Sequence, residues 1–253
     1  MPDLKRRIFL TVSSTAALAP VLPTPATAAA ASAASAASAA SASAEPYRFF
    51  NREEAAFMEA AVQRLIPPDD VGPSAMEAGV VTFIDRQLAG AWGAGERLYR
   101  AGPWATGLPT QGYQLPFTPA QLFRTALRGA QAELGRRGQA AFDQLPGAAQ
   151  DAFLSALQAG GMDLEGVPSK VFFESLWAMT IEGYFGDPVY GGNRGMAAWQ
   201  MIGFPGAHGA YLDWVDRHGV AFTGPPRSLA EAGGNPHGMH GMHGDQPPQS
   251  GRR

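Results

Sequence analysis

Apolar side chains recur at helical spacing in five stretches of the chain between residues 51 and 181. Positions three and four apart share one face of an α-helix, so each stripe predicts an amphipathic helix. No stretch alternates polar residues with β-branched ones, the pattern of a half-buried strand. The stripes are Phe57, Ala61 and Leu65; Val80, Val81, Ile84 and Leu88; Leu122, Phe123, Ala126, Leu127 and Ala130; Phe153, Leu154 and Leu157; and Phe172, Phe173, Leu176, Trp177 and Ile181. We predict a single compact all-α domain of five or six helices over residues 46–222.

Polar residues ahead of the stripes predict where the helices begin. Two caps are followed three positions later by a glutamate, the pattern in which each side chain bonds the backbone N–H of the other residue. Another cap precedes Pro119, since proline is favoured at the first helical position. The Pro67–Pro68 pair ends the first helix. The predicted N-caps are Asn51, Ser74, Thr118 and Ser169.

Two connections between the stripes are long and rich in Gly, Pro and aromatic residues. The first spans residues 91–116, and the second, which we call the signature segment, spans residues 186–209. Long loops in compact domains are commonly functional. Two interpretations stay open at this point. The loops are either fixed to the domain's own helices, or they form a surface that docks another protein through aromatic and arginine anchors.

The N-terminus has the order of parts of a secretory signal. A basic head containing Arg6 and Arg7 is followed by Phe9 and Leu10 and a weakly apolar run. Small residues near position 28 then offer a cleavage site. The twin arginine predicts a Tat-type signal over residues 1–28, with an ordinary secretory signal as the alternative. Residues 29–45, almost entirely Ala and Ser, form a low-complexity linker.

Composition narrows the chemistry that the chain can perform. The protein has 253 residues with 31 Gly, 21 Pro, no Cys and a net charge of −3. The absence of cysteine excludes disulfides, thiolate metal sites and a cysteine nucleophile, and the charge argues against nucleic-acid binding. No phosphate-binding P-loop is present. His208 with Asp213 or Asp187 is a candidate acid–base pair, although such pairs are more often structural.

The C-terminal tail, residues 223–253, differs in composition from the rest of the chain. Gly, Pro, Gln and Ser dominate it, and we predict that it is disordered. It contains His237, His240 and His243, with Met239 and Met242 between them. Imidazole and thioether ligands at this spacing suit copper, especially Cu(I). The alternative is a tail that binds metal only weakly and without a physiological role.

Two parts of the sequence resemble the gluconate 2-dehydrogenase subunit 3 family. The first helix begins F-F-N-R-E-E-A-A-F and ends R-L-I-P-P-D-D. The second part, the most specific one, is Y-F-G-D-P-V-Y-G-G-N-R at residues 184–194, continuing to Trp199 and through G-F-P-G at 203–206. The resemblance covers about residues 48–215. It leaves out the linker and the tail.

The resemblance implies a non-catalytic small subunit of a membrane-bound sugar or sugar-acid dehydrogenase. Its expected partners are a large flavoprotein of the glucose–methanol–choline oxidoreductase type, which holds FAD, and in some complexes a multihaem cytochrome c subunit. No cofactor is expected in this chain. It would stabilise the flavoprotein and export it through the Tat translocase to the periplasmic face of the inner membrane. The residues predicted to bind the partner are Asp187, Tyr190, Gly191, Gly192, Asn193, Arg194, Trp199 and Phe204.

Two other functions remain open on the sequence. One is a free-standing periplasmic binding protein that holds copper through the tail. The other is an enzyme in its own right that uses His208 and Asp187.

Overall fold

The apolar stripes fold into helices, and a small hairpin is the only sheet among the residues that the structure describes. The computed structural model describes residues 46–231, apart from residues 97, 100, 106 and 109. Its hairpin pairs β1 (Asp163–Leu164) with β2 (Val167–Pro168). The α-helices are α1 Arg52–Leu65, α2 Val80–Ala89, α3 Ala91–Ala94, α4 Pro119–Arg136, α5 Gly147–Ala159, α6 Ser169–Phe185 and α7 Ala197–Ile202. The all-α prediction is confirmed, and the two short helices α3 and α7 are additions to it.

Two of the predicted N-caps form as the sequence indicates. The Glu54 backbone N–H donates to Asn51 Oδ1 at 2.9 Å, and the Asn51 N–H donates to the Glu54 carboxylate at 3.0 Å. Thr118 and Gln121 make the same reciprocal pair at the start of α4. Each pair satisfies two backbone donors that the helix itself cannot bond. The first turns of α1 and α4 are therefore fixed by local sequence.

The other two cap predictions are wrong in position. Ser74 and Glu77 bond each other as expected, but residue Gly79 adopts a left-handed conformation with φ of 77°. This conformation interrupts the helical turn, so α2 begins only at Val80. Ser169 is the first residue of α6 rather than its cap, and it is fully buried.

The inner faces of the five longer helices meet in one hydrophobic core. Phe57 of α1 packs on Phe142 with ring centroids 4.4 Å apart, and Phe123 of α4 packs edge-on against Phe172 of α6 at 5.6 Å. All four rings are almost completely buried. Burial of large apolar side chains is the main force that holds such helices together. The core extends to Ala198 in α7, so the signature segment is continuous with it.

A buried carboxylate fixes the start of the folded domain. Asp85 of α2 accepts hydrogen bonds from the backbone N–H groups of Arg48, Phe49 and Phe50 at 2.7, 2.8 and 3.0 Å. Arg124 of α4 donates to the Phe49 carbonyl oxygen at 2.7 Å and lies over the Phe49 ring. The chain is therefore anchored from about residue 47, close to the predicted boundary. No helix of the described residues has the length and apolarity needed to cross a membrane.

Candidate functional site

The signature segment begins at a carboxylate that joins two distant parts of the chain. Asp187 follows α6 and accepts a hydrogen bond from the Val189 backbone N–H at 3.0 Å, which caps the 3-10 turn Pro188–Tyr190. It also accepts bonds from the Ser228 hydroxyl at 2.7 Å and the Leu229 N–H at 2.8 Å. Asp187 thus fastens the segment to residues about forty positions downstream.

Backbone hydrogen bonds reinforce this connection. Gly206 and Arg227 form a parallel bridge, in which the Ala207 N–H donates to the Arg227 carbonyl oxygen at 2.7 Å. The Arg227 N–H in turn donates to the Pro205 oxygen at 3.1 Å. We call these bonds, together with those of Asp187, the clasp. The downstream side of the clasp, residues 227–229, lies beyond residue 222, where the sequence analysis placed the end of the domain. The described fold therefore continues to Glu231 and buries Ser228.

Asn193 holds the middle of the signature segment against two helices. It is fully buried and adopts a left-handed conformation, with φ of 42°. Its side-chain NH₂ donates to the Gly186 carbonyl oxygen, and its Oδ1 accepts from the Ala198 N–H, each at 3.0 Å. Asparagine tolerates this conformation better than most residues because its short amide bonds locally. The sharp bend before α7 therefore depends on this side chain.

The two glycines before Asn193 allow a close approach of backbone to backbone. A Cβ atom at Gly192 would overlap the carbonyl oxygen of Gly183 in α6. Gly191 has φ of 105° and faces the side chain of Arg86. Arg194 then crosses to α2, where its guanidinium donates to Thr82 Oγ1 at 3.2 Å. All of these contacts lie within the domain.

Trp199 and Phe204 pack against each other at the end of α7. The Trp199 side chain is 5% exposed, and its indole N–H donates to the Phe185 carbonyl oxygen at 2.6 Å. Phe204 packs edge-on against it at 5.1 Å and remains 45% exposed. One ring therefore anchors the segment, and the other is presented to solvent.

Five apolar residues in the segment or bonded to it have exposed side chains. The Val189 and Leu229 N–H groups bond the same Asp187 carboxylate, so these two residues are neighbours. Exposed aromatic and large aliphatic side chains are of the kind that protein interfaces cover. We call these residues together the signature face; they are Val189, Tyr190, Ile202, Phe204 and Leu229.

The predicted partner-binding residues thus divide into two groups. Tyr190 and Phe204 belong to the exposed signature face, whereas Asp187, Asn193 and Trp199 bond the domain itself. The sequence analysis missed Val189, Ile202 and Leu229. Val189 and Ile202 flank residues of the predicted set, but Leu229 carries no sequence signal because a distant side chain brings it here.

The first Gly/Pro-rich connection also exposes large apolar side chains. Trp92, Tyr99, Trp104 and Leu108 are between 38% and 83% exposed. Gly95, with φ of 75°, ends α3 at the start of this stretch.

The candidate acid–base pair of His208 and Asp187 is not formed. The imidazole packs against the rings of Tyr211 and Phe222, at 5.3 and 5.1 Å, and its Nε2 is buried without a hydrogen-bond partner. The Asp187 carboxylate is engaged by the clasp. The Asp213 side chain is outside the described atoms. No cluster of three potential metal ligands occurs in the described part of the chain, and the tail histidines lie outside it.

Comparison with known proteins identifies the family. The family model for gluconate 2-dehydrogenase subunit 3 matches residues 52–206, which is more than half of the chain. The match starts with the first residue of α1 and ends at Gly206, within the clasp. No curated protein and no solved structure matches the chain. The chain therefore belongs to the gluconate 2-dehydrogenase subunit 3 family.

Proposed function

We propose that this protein is the non-catalytic small subunit of a periplasmic, membrane-bound dehydrogenase that oxidises CH–OH groups. It binds and stabilises the large FAD-containing subunit, and a multihaem cytochrome c subunit completes the complex in some systems. The observation that carries this proposal is the signature face, a set of exposed apolar side chains on a well-bonded segment of a chain whose family name describes a subunit. In an isolated chain this surface would be left in contact with water.

The signature face has the physical properties of a docking surface. Its backbone is held by Asp187, Asn193 and Trp199, so little conformational entropy has to be lost when a partner binds. Tyr190 and Phe204 supply large rings of the type that carries much of the binding free energy in protein interfaces. The flavoprotein is expected to offer a complementary apolar surface.

FAD and any haem c belong to the partner subunits in this proposal. This chain contributes the candidate contact surface to the complex. The experiment is to purify the tagged chain from its native host and identify the co-purifying protein by its sequence and its flavin absorbance. Recovery of a flavoprotein of the expected type supports the proposal. A stable, flavin-free monomer in every preparation would contradict it.

Export is the second part of the proposal. The Arg6–Arg7 pair lies outside the described residues, and it suits a Tat signal on which the folded flavoprotein is carried to the periplasm. Replacing both arginines by lysine keeps the charge but removes the pair. Dehydrogenase activity should then remain in the cytoplasmic fraction, whereas Lys5→Gln should export normally. Periplasmic activity in the double-lysine variant would refute co-export.

A second candidate function rests on the H-G-M-H-G-M-H run at residues 237–243. Its imidazole and thioether groups suit a periplasmic copper-binding protein.

A further inference from the structure

The loop of residues 207–226 and Arg227, which follows it, line a cavity of about 400 Å³. The two ends of this loop meet at the clasp, because the Ala207 N–H donates to the Arg227 carbonyl oxygen at 2.7 Å. Small-molecule sites in proteins are clefts or cavities of roughly 300–1,000 Å³. The cavity therefore has the size to hold one small organic molecule.

Aromatic rings make up a large part of the cavity wall. The Phe222 ring lies 5.1 Å from the His208 ring and 5.2 Å from the Trp214 ring. The Tyr211 ring lies 5.8 Å from that of Phe222. Because each ring packs against another, the wall is formed before a ligand enters, which limits the entropy lost on binding. Such a wall favours a ligand that itself carries a ring, since aromatic rings pack edge-on or offset against one another.

Three polar groups among the lining residues are not used by the fold. Arg227 is bonded through its backbone, but its guanidinium makes no hydrogen bond or ion pair with the described residues. The Thr223 hydroxyl has no partner among them either, and His208 Nε2 is buried without one. Binding sites for small molecules commonly combine aromatic walls with a few polar groups of this kind.

The charge of the wall favours an anionic ligand. Among the described side chains that line the cavity, Arg227 carries a permanent positive charge and none is acidic. A guanidinium can pair with a carboxylate through two parallel N–H···O hydrogen bonds. Arg217 lies over the Trp214 ring at 5.2 Å without lining the cavity, and Asp216 beside it is exposed.

We propose that this cavity is a binding site for a small aromatic carboxylate. The ring of the ligand packs against Trp214 and Tyr211, and its carboxylate pairs with Arg227. The lining residues all come after residue 206, where the family match ends, so the site is an addition to the matched region. The inference goes beyond the proposed function and does not depend on it.

The test is a calorimetric titration of the isolated full chain with sodium benzoate. Benzamide has the same ring without the charge, and acetate has the charge without the ring. Benzoate should bind at least about tenfold more tightly than benzamide, because only the carboxylate forms a charge-assisted pair with Arg227. It should also bind at least about tenfold more tightly than acetate, which leaves the aromatic wall uncovered.

Arg227→Gln is the diagnostic variant, because the clasp uses only the backbone of Arg227. The substitution should raise Kd for benzoate about tenfold and leave Kd for benzamide within about twofold. The matched control is Arg217→Gln, which removes the same charge from the same loop at a residue outside the cavity lining. It should change Kd for benzoate by less than about twofold. Melting temperatures of both variants should match that of the unaltered chain.

Several outcomes would overturn the inference. One is the absence of benzoate binding at millimolar concentration, and another is equal affinity for benzoate and either comparison ligand. An unchanged Kd in Arg227→Gln would show that this guanidinium is not the anion partner. An equal loss in Arg217→Gln would show a general effect of positive charge rather than a site. None of these results bears on flavoprotein binding, so the proposed function would stand in each case.

Discussion

At the scale of single residues, the signature segment separates structural roles from exposed ones. Asp187 satisfies three donors on two stretches of chain, and Asn193 joins the end of α6 to the start of α7. Tyr190, only three residues from each, is 49% exposed. Both interpretations of the segment are therefore applicable, but to different side chains. The sequence alone lists these residues together because it does not show which way each one points.

This separation of bonded and exposed side chains predicts opposite effects of two alanine substitutions on stability and on partner binding. Asp187→Ala leaves the Ser228 hydroxyl and the Leu229 N–H without their acceptor, which should lower the free energy of unfolding by about 2 kcal/mol. Tyr190→Ala should change it by less than about 0.5 kcal/mol and weaken flavoprotein binding about tenfold. Urea unfolding and a binding titration measure the two effects. Wild-type affinity in the Tyr190→Ala variant would show that the signature face is not the docking surface.

Gly192 and Gly195 provide a matched test of steric and conformational limits. A Cβ at Gly192 would overlap the Gly183 carbonyl oxygen, which belongs to rigid helical backbone, so Gly192→Ala should cost at least about 3 kcal/mol. Gly195 has open space around it but a φ of 64°, so Gly195→Ala should cost about 1 kcal/mol. Urea unfolding of both variants checks the order. Equal costs would mean that the two chain segments separate easily.

At the scale of secondary-structure elements, the sequence predicted the five longer helices well because their signals are local. Asn51 and Thr118 form the expected caps, and most residues of the apolar stripes are buried. Trp177 is the clearest exception, because its side chain is 43% exposed on α6. The predicted start of α2 was wrong because Gly79 adopts a left-handed conformation, which ends the turn that Ser74 caps five residues earlier. The helix α7 and the 3-10 turns were missed because they are too short to show periodicity.

The Ser74–Glu77 turn ahead of α2 should make a contribution to stability that depends on pH. The Ser74 N–H and hydroxyl donate to the Glu77 carboxylate at 2.7 and 2.9 Å, which lowers the pKa of Glu77 below its ordinary value. The stabilisation is therefore present above the unfolded-state pKa and is lost as the pH falls through the folded-state pKa. Glu77→Gln should destabilise the domain at pH 7 by about 0.5 kcal/mol, and by less at pH 3.

Urea unfolding at both pH values measures this difference. Glu174→Gln is the control, because Glu174 has only an exposed lysine 3.9 Å away. Its effect should be smaller at pH 7. A Glu77→Gln effect that stays constant between the two pH values would contradict an ionic role for this cap.

At the scale of the whole molecule, the candidate site depends on a contact that the sequence does not reveal. The clasp joins Asp187 to Ser228, and no periodicity or motif connects two polar residues so far apart. The sequence therefore identified the signature segment but assigned residues 227–229, to which it bonds, to the tail. Because residues 227–229 belong to the clasp, a truncation at residue 224 removes part of the fold together with the candidate metal ligands of the tail.

Two truncations separate these effects. Removing residues 232–253 leaves Ser228, Leu229 and the backbone bridge in place, so melting temperature and flavoprotein binding should stay close to those of the full chain. Removing residues 224–253 takes away the partners of the Asp187 carboxylate and opens the loop of residues 207–226. This deletion should lower the free energy of unfolding by about 2 kcal/mol and weaken assembly.

Copper titrations of the same truncated chains test the tail as a metal site. Because Gly residues flank His237, His240 and His243, ordering these ligands around a metal costs conformational entropy. Any copper affinity should therefore be modest, and it should fall as the imidazoles protonate below about pH 6.5. Both truncated chains should lack that copper binding, while only the longer deletion loses assembly. A large copper-dependent change in dehydrogenase activity that requires residues 232–253 would instead make the tail a regulatory metal site.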